Sequence, residues 1–204
     1  MFRHTIPSFV FPVFPSLTWR VKTRERKLYL TFDDGPHPQI TDWVLCELDK
    51  FSAKATFFCV GDNVRKHHDV YQRILAQGHA VGNHTFHHVK GWSMNTADYV
   101  NEVNECAGLV NSNLFRPPYG RINLSQIKAL REEYRIIMWS LLTRDYDKNL
   151  NIKDTLRVVT KSLQPGCIIV MHDSEKAEKQ LKQLLPEILK TGVEQGYTFD
   201  VITA

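Results

Sequence analysis

The sequence predicts a single-domain α/β fold built on parallel strands, and three observations point to it. Short apolar, β-rich runs alternate with segments of helical spacing about seven times along the 204 residues. No internal repeat, linker or low-complexity stretch interrupts the alternation. Charged and imidazole side chains recur where an apolar run stops, as expected where the loops of a parallel sheet gather at one end. Alternation alone leaves two architectures open, a doubly wound sheet or a (β/α) barrel. The chain is short for eight units, so a closed form would lack one.

The elements follow in order. Leu28–Phe32 is the first strand, and a Gly-Pro-His-Pro turn ends it. Ile40–Phe51 has helical spacing at Ile40, Val44, Leu45 and Leu48. Ala55–Val60 is a buried-type strand, and one helical segment containing Val64, Ile74 and Leu75 then runs to Gly78. His79–Gly82 reads as a short strand, Asn95–Asn111 as a helix, Leu114–Arg116 as a brief strand and Asn123–Glu133 as a helix. Arg135–Leu141, Cys167–His172 and Tyr197–Ile202 complete the strands, with helices over roughly 152–163 and 174–191 between them.

Composition narrows the class. Hydrophobic residues at 43% with 24% charged describe a globular chain, neither disordered nor membrane-spanning. The net charge is +4, and the stretch 20–27 carries all of it, with five basic residues against Glu25. The remainder is neutral, so no nucleic acid partner is expected. Residues 1–26 are expected to form an irregular N-terminal strap on a domain spanning 27–204. Thr5 to Trp19 is uncharged but broken by Pro7, Pro12 and Pro15, which suits neither a transmembrane helix nor a signal peptide. Its aromatics and the basic run after it suggest peripheral membrane contact, with a cytoplasmic location expected. Four cysteines without a CxxC pair read as buried free thiols in a reducing compartment.

Chemistry concentrates at five strand exits: Asp33-Asp34-Gly35-Pro36, Asn83-His84-Thr85-Phe86-His87-His88, Arg116-Pro117-Pro118-Tyr119-Gly120, Arg144-Asp145-Tyr146 after the strand holding Trp139, and Met171-His172-Asp173. Adjacent carboxylates on extended chain point to opposite sides, so one can ligate a cation while the other faces a different group. His84 and His88, four apart, share a face if that segment makes a helical turn, and His87 is the competing ligand. One carboxylate and two imidazoles are donors that Zn²⁺ accepts with a position left open. The same set also suits Fe(II), which keeps an oxygenase open as an alternative.

These motifs, spanning residues 28 to about 200, resemble in order the five motifs of the polysaccharide deacetylase family, the NodB-homology enzymes of carbohydrate esterase family 4. The resemblance implies a distorted (β/α)₇ barrel and a hydrolase that removes an N-acetyl group from an amino sugar in an oligosaccharide, polysaccharide or lipid-linked glycan. By motif, Asp34, His84 and His88 bind one divalent metal ion, with Zn²⁺ expected and Co²⁺ or Ni²⁺ also suited. Asp33 is then the general base and Arg116 orients it. The backbone N–H of Tyr119 serves the oxyanion, His172 is the general acid and Asp145 holds it charged. Trp139 lines the pocket for the acetyl methyl group, and Pro117 and Tyr119 join it in the substrate pocket. Two positions depart from the common pattern, Leu142 where an acidic residue is frequent and Tyr146 where Trp is common. Asp147 competes with Asp145 for its role. An imide or ureide hydrolase, or a non-catalytic carbohydrate-binding protein, remains an alternative on the same fold.

Overall fold

Among the described residues, eight strands from residue 27 onward run parallel, and an N-terminal strand joins them at the edge. The computed structural model describes residues 4–203. Its elements are β1 (Leu17–Thr18), β2 (Lys27–Asp33), α1 (Pro38–Asp49), β3 (Ala55–Cys59), α2 (Gly61–Lys66), α3 (His68–Ala76), β4 (Ala80–Asn83), α4 (Thr96–Ala107), β5 (Leu114–Phe115), α5 (Leu124–Leu130), β6 (Arg135–Ile137), β7 (Leu141–Leu142), α6 (Ile152–Lys161), β8 (Ile168–His172), α7 (Glu178–Glu194) and β9 (Thr198–Phe199). The strand order is β1-β6-β5-β4-β3-β2-β8-β7, with β9 on the start of β2. Asparagines begin three of the helices: Asn95, Asn123 and Asn151 each accept a backbone N–H at the start of α4, α5 and α6.

Period-two alternation in β2 decides which side chains enter the barrel. Leu28, Leu30 and Phe32 pack outward with α1 and α7, against Leu45, Leu185 and Leu189. Tyr29 packs inward with Phe58, Leu114, Ile137 and Ile168. Thr31 and Asp33 share that inner side, which is how a carboxylate comes to stand inside an apolar interior.

The barrel is distorted between β6 and β7. One strand was expected over Arg135–Leu141, but Met138, Trp139 and Ser140 leave the ladder and no helix intervenes. The reason is a competing demand for backbone carbonyls. Ile137 and Met138 give theirs to the buried Arg116 guanidinium, while the Met138 N–H donates to Thr18. Four peptide steps from Ile137 to Leu141 reach at most ~14 Å. The two sheet edges must therefore curl toward each other.

The N-terminal segment spans that closure. Thr5 bridges Leu141 of β7, and Leu17–Thr18 pairs in parallel with Ile136–Ile137 of β6. It is thus more regular than an irregular strap, since it holds a 3₁₀ turn over Ser8–Val13 and one strand of the sheet.

Two smaller expectations are corrected. The helix expected after β3 is two helices, because His67 adopts a non-helical φ of −130° between α2 and α3. Cys59, Cys106 and Cys167 are buried free thiols, but Cys46 is exposed on α1. No helix among the described residues is long and apolar enough to cross a membrane.

Candidate active site

Because the strands are parallel, their C-terminal ends share one rim, and the five motif segments meet there around a cavity of about 710 Å³. Register fixes the centre: Asp33 stands level with His172 across the β2–β8 pair.

Asp33 is held by Arg116. The guanidinium is fully buried and donates to Asp33 Oδ1 at 2.6 Å and to Thr31 Oγ1 at 2.7 Å. Its remaining N–H groups meet the Ile137 and Met138 carbonyls, and its face lies on the Phe58 ring at 4.0 Å. Burial lowers its pKa from the ordinary value, against the charge of Asp33. A buried guanidinium with this many partners is a fixed strut, so Asp33 has little freedom to move.

Asp34 turns the other way. Its φ is +81°, and its carbonyl accepts from Asn63 Nδ2 at 2.7 Å. Its Oδ1 lies 3.1 Å from His88 Nε2 and 3.8 Å from His84 Nε2. Burial alone would raise this carboxyl. The hydrogen bond with His88 and the charges of His172, His84 and His88 outweigh it and hold Asp34 well below the carboxylate range.

The two imidazoles converge by a route other than the helical turn expected from their spacing. Residues 84–88 form a loop, with Thr85 at φ +61° and His88 at φ +55°. The rings are nonetheless 5.1 Å apart. His84 Nδ1 sits 2.8 Å from the Arg116 carbonyl, an acceptor only, so that nitrogen carries the proton and Nε2 presents its lone pair to the cavity. Burial pushes His84 down to about 4, which keeps it neutral, as a metal ligand must be. One carboxylate and two imidazoles, with donor atoms all within 4.8 Å of each other, fit a divalent cation with positions to spare. His87 does not join them; it is half-exposed and faces Glu102.

On the opposite wall, His172 Nδ1 is 2.7 Å from Asp145 Oδ1, and the His172 N–H donates to Asp145 Oδ2 at 2.7 Å. Burial would lower this imidazole, but the Asp145 charge and hydrogen bond overcome it and raise His172 to about 9. Asp147 pairs with Arg144 at 2.8 Å instead, which separates the two candidate carboxylates. Tyr146 presents its ring edge-on to His172 at 5.1 Å, and both it and Leu142 line the cavity.

Trp139 and Tyr119 line the cavity, and Pro117 does not. It is buried at φ −70° and starts the 3₁₀ turn Pro118–Gly120, so it shapes the turn without touching the cavity. Within that turn Tyr119 has φ +60°, and the N–H groups after it donate to the Pro117 and Pro118 carbonyls. Gly120 is required there, since a Cβ would lie 2.5 Å from the Trp139 ring.

Asp173, beside His172 in sequence, has a structural role that its position alone does not announce. Its carboxyl accepts from the Gly35 N–H at 3.1 Å and the Thr41 hydroxyl at 2.5 Å, tying the Asp33-Asp34 turn to β8. Burial, with the Asp34 charge adding to it, pushes its carboxyl up to about 8 against those hydrogen bonds. Its place at a strand exit was the available signal.

Comparison with known proteins agrees with this constellation. The family model described as polysaccharide deacetylase matches residues 20–134. A peptidoglycan-N-acetylglucosamine deacetylase of Bacillus cereus is 32% identical over 196 residues, covering 92% of this chain and 91% of that protein. A chitooligosaccharide deacetylase of Azorhizobium caulinodans is 30% identical, covering 76% of this chain and 77% of its own. Among solved structures, a peptidoglycan N-acetylglucosamine deacetylase superposes with a TM-score of 0.88 at 27% identity, covering 97% of this chain and 95% of that one. With five motif segments on one rim and a match spanning more than half its length, the chain belongs to the polysaccharide deacetylase family.

Proposed function

We propose that this protein is a metal-dependent hydrolase that removes the acetyl group from an N-acetylated amino-sugar glycan. The observation that carries the reading is the separation of two functional walls around one cavity. Asp34, His84 and His88 form a donor set on one side, Asp33 is fixed beside it by Arg116, and the His172–Asp145 pair stands opposite. The names of the peptidoglycan and chitooligosaccharide deacetylases support an N-acetylglucosamine-containing substrate.

A divalent cation held by Asp34, His84 and His88, Zn²⁺ by donor type and Co²⁺ or Ni²⁺ as substitutes, supplies Lewis acidity that lowers the pKa of water and polarises the amide carbonyl. Asp33, held in place by Arg116, takes one proton from the attacking water as the oxygen adds to the carbonyl carbon. The Tyr119 N–H donates to the oxyanion that forms. His172, kept protonated by Asp145, gives its proton to the amide nitrogen as the C–N bond breaks. Acetate and a free amino sugar leave. Trp139 and Leu142 give the acyl methyl group apolar wall.

Acetate release from N-acetylglucosamine oligomers and from peptidoglycan glycan strands tests this. Release should stop on chelation and return with Zn²⁺ or Co²⁺. A protein that binds one metal per chain and releases acetate from neither glycan would contradict it.

A further inference from the structure

His87 and His88 are neighbours, both are imidazoles, and only one can serve with His84. Nothing in their spacing from His84 makes the selection. Glu102, on the middle of α4, touches the loop at three points. Its main-chain carbonyl accepts the Phe86 N–H at 3.0 Å, its Oε2 accepts the His87 N–H at 2.9 Å, and its Oε1 lies 2.9 Å from His87 Nδ1. The Glu102 side chain is largely buried while the His87 ring is half-exposed, so the contact draws His87 outward from the cavity. The His87 ring also packs edge-on against Phe86 at 4.7 Å.

The segment needs such a clamp because its backbone is costly. Thr85 and His88 both sit at positive φ, a strained conformation for a residue with a Cβ that persists only where the surroundings enforce it. The N-terminal half of the loop is fastened elsewhere: Asn83 spans the Thr85 N–H and the Val103 carbonyl, and the Thr85 and Phe86 carbonyls accept from Gly61 and Asp62. Past Phe86, the Val89 N–H closes the loop onto Thr85 Oγ1 at 3.2 Å, and the side-chain contacts of Glu102 hold His87 between them, before the chain enters His88.

We infer that Glu102 is a positioning residue for the metal site: by holding the main chain and ring of His87, it selects His88 as the third donor and keeps its Nε2 aimed at Asp34. This rests on the donor set proposed above. Glu102 touches no reacting atom. Groups that orient metal ligands from behind typically change metal affinity by about 10–100-fold when removed.

Co²⁺ affinity, read by chelator competition and by the visible absorption of the bound ion, tests it on the full chain. Glu102→Ala should weaken Co²⁺ roughly 10–100-fold and alter the spectrum. Glu102→Gln, whose amide can still accept from the His87 N–H and donate to Nδ1, should restore near-parent affinity. Glu132→Ala, an exposed carboxylate after α5 that pairs with Arg131, should leave affinity unchanged. If Glu102→Ala does not fold, Glu102→Asp replaces it, since it keeps the charge but falls one methylene short of His87; it too should bind Co²⁺ more weakly. Parent-like affinity and spectrum in whichever of these two variants folds would overturn the inference. Failure of the donor set itself looks different: the parent would then bind no stoichiometric Co²⁺, or His84→Ala would still bind it.

Discussion

His84 and His172 are the same residue on opposite walls of one cavity, His84 buried and His172 nearly so, yet they are driven in opposite directions. Burial dominates at His84, whose Nδ1 meets only a neutral carbonyl, and the imidazole falls to about 4. At His172 the same nitrogen meets the Asp145 carboxylate, and the imidazole rises to about 9. Near neutral pH one ring is therefore a lone-pair donor and the other a proton donor. Desolvation is common to both, so the partner's charge assigns the role.

Substitutions can break that contrast, beginning where the effect is largest. His84→Ala removes a donor that no neighbour replaces, because His87 is turned toward Glu102; stoichiometric Co²⁺ retention and acetate release should both disappear. Asp145→Asn removes the anion that sets His172 apart. His172 should return toward about 6.5, turnover at neutral pH should fall on the order of 10²–10⁴-fold, and the alkaline limb of the kcat profile should move to lower pH. Co²⁺ binding should persist in this variant, so loss of the metal would show that the two walls are not separable.

Arg116→Met sharpens the contrast from the structural side. It leaves the Asp33 carboxylate buried without its partner, and chemical denaturation should show a loss of about 3–5 kcal/mol. The smallest effect expected is at His79, a buried imidazole outside the site that accepts the Ala55 N–H and is lowered to about 4 by burial and by Lys54. A histidine with a depressed pKa binds fewer protons folded than unfolded, so it costs stability as pH falls from about 6.5 toward about 4. His79→Gln should flatten that part of the metal-free melting profile. The raised His172 has the opposite sign: its contribution is complete below about 6.5 and fades as pH rises through about 9, and Asp145→Asn should remove that alkaline loss.

Much of the site was legible because parallel strands deliver their exits to one rim, so Asp33, Arg116, Asp145 and His172 could be read as neighbours from order alone. The pairing of His84 with His88 was legible as a contact but not as a geometry, since two positive-φ residues replace the helical turn. What was not legible depends on contacts distant in sequence. Arg116 draws the carbonyls of residues 137 and 138 out of a β-rich run that otherwise reads as one strand. The Asp173 carboxyl acts on Gly35, 138 positions away, and Glu102 acts on a loop 15 positions before it. Pro117 sits in the motif beside pocket residues, but its contribution is backbone geometry at the start of the 3₁₀ turn. The N-terminal strand is not legible in sequence because two residues cannot announce a strand; pairing with β6 makes it one.

In the proposed reaction, binding the metal and taking the proton belong to adjacent carboxylates with separate partners. Asp33→Asn tests it most directly, with Co²⁺ stoichiometry and acetate release measured on the same preparation. One Co²⁺ per chain at near-parent affinity is expected, with acetate release reduced on the order of 10²–10⁴-fold. Parent-like release, or loss of the metal together with activity, would contradict it.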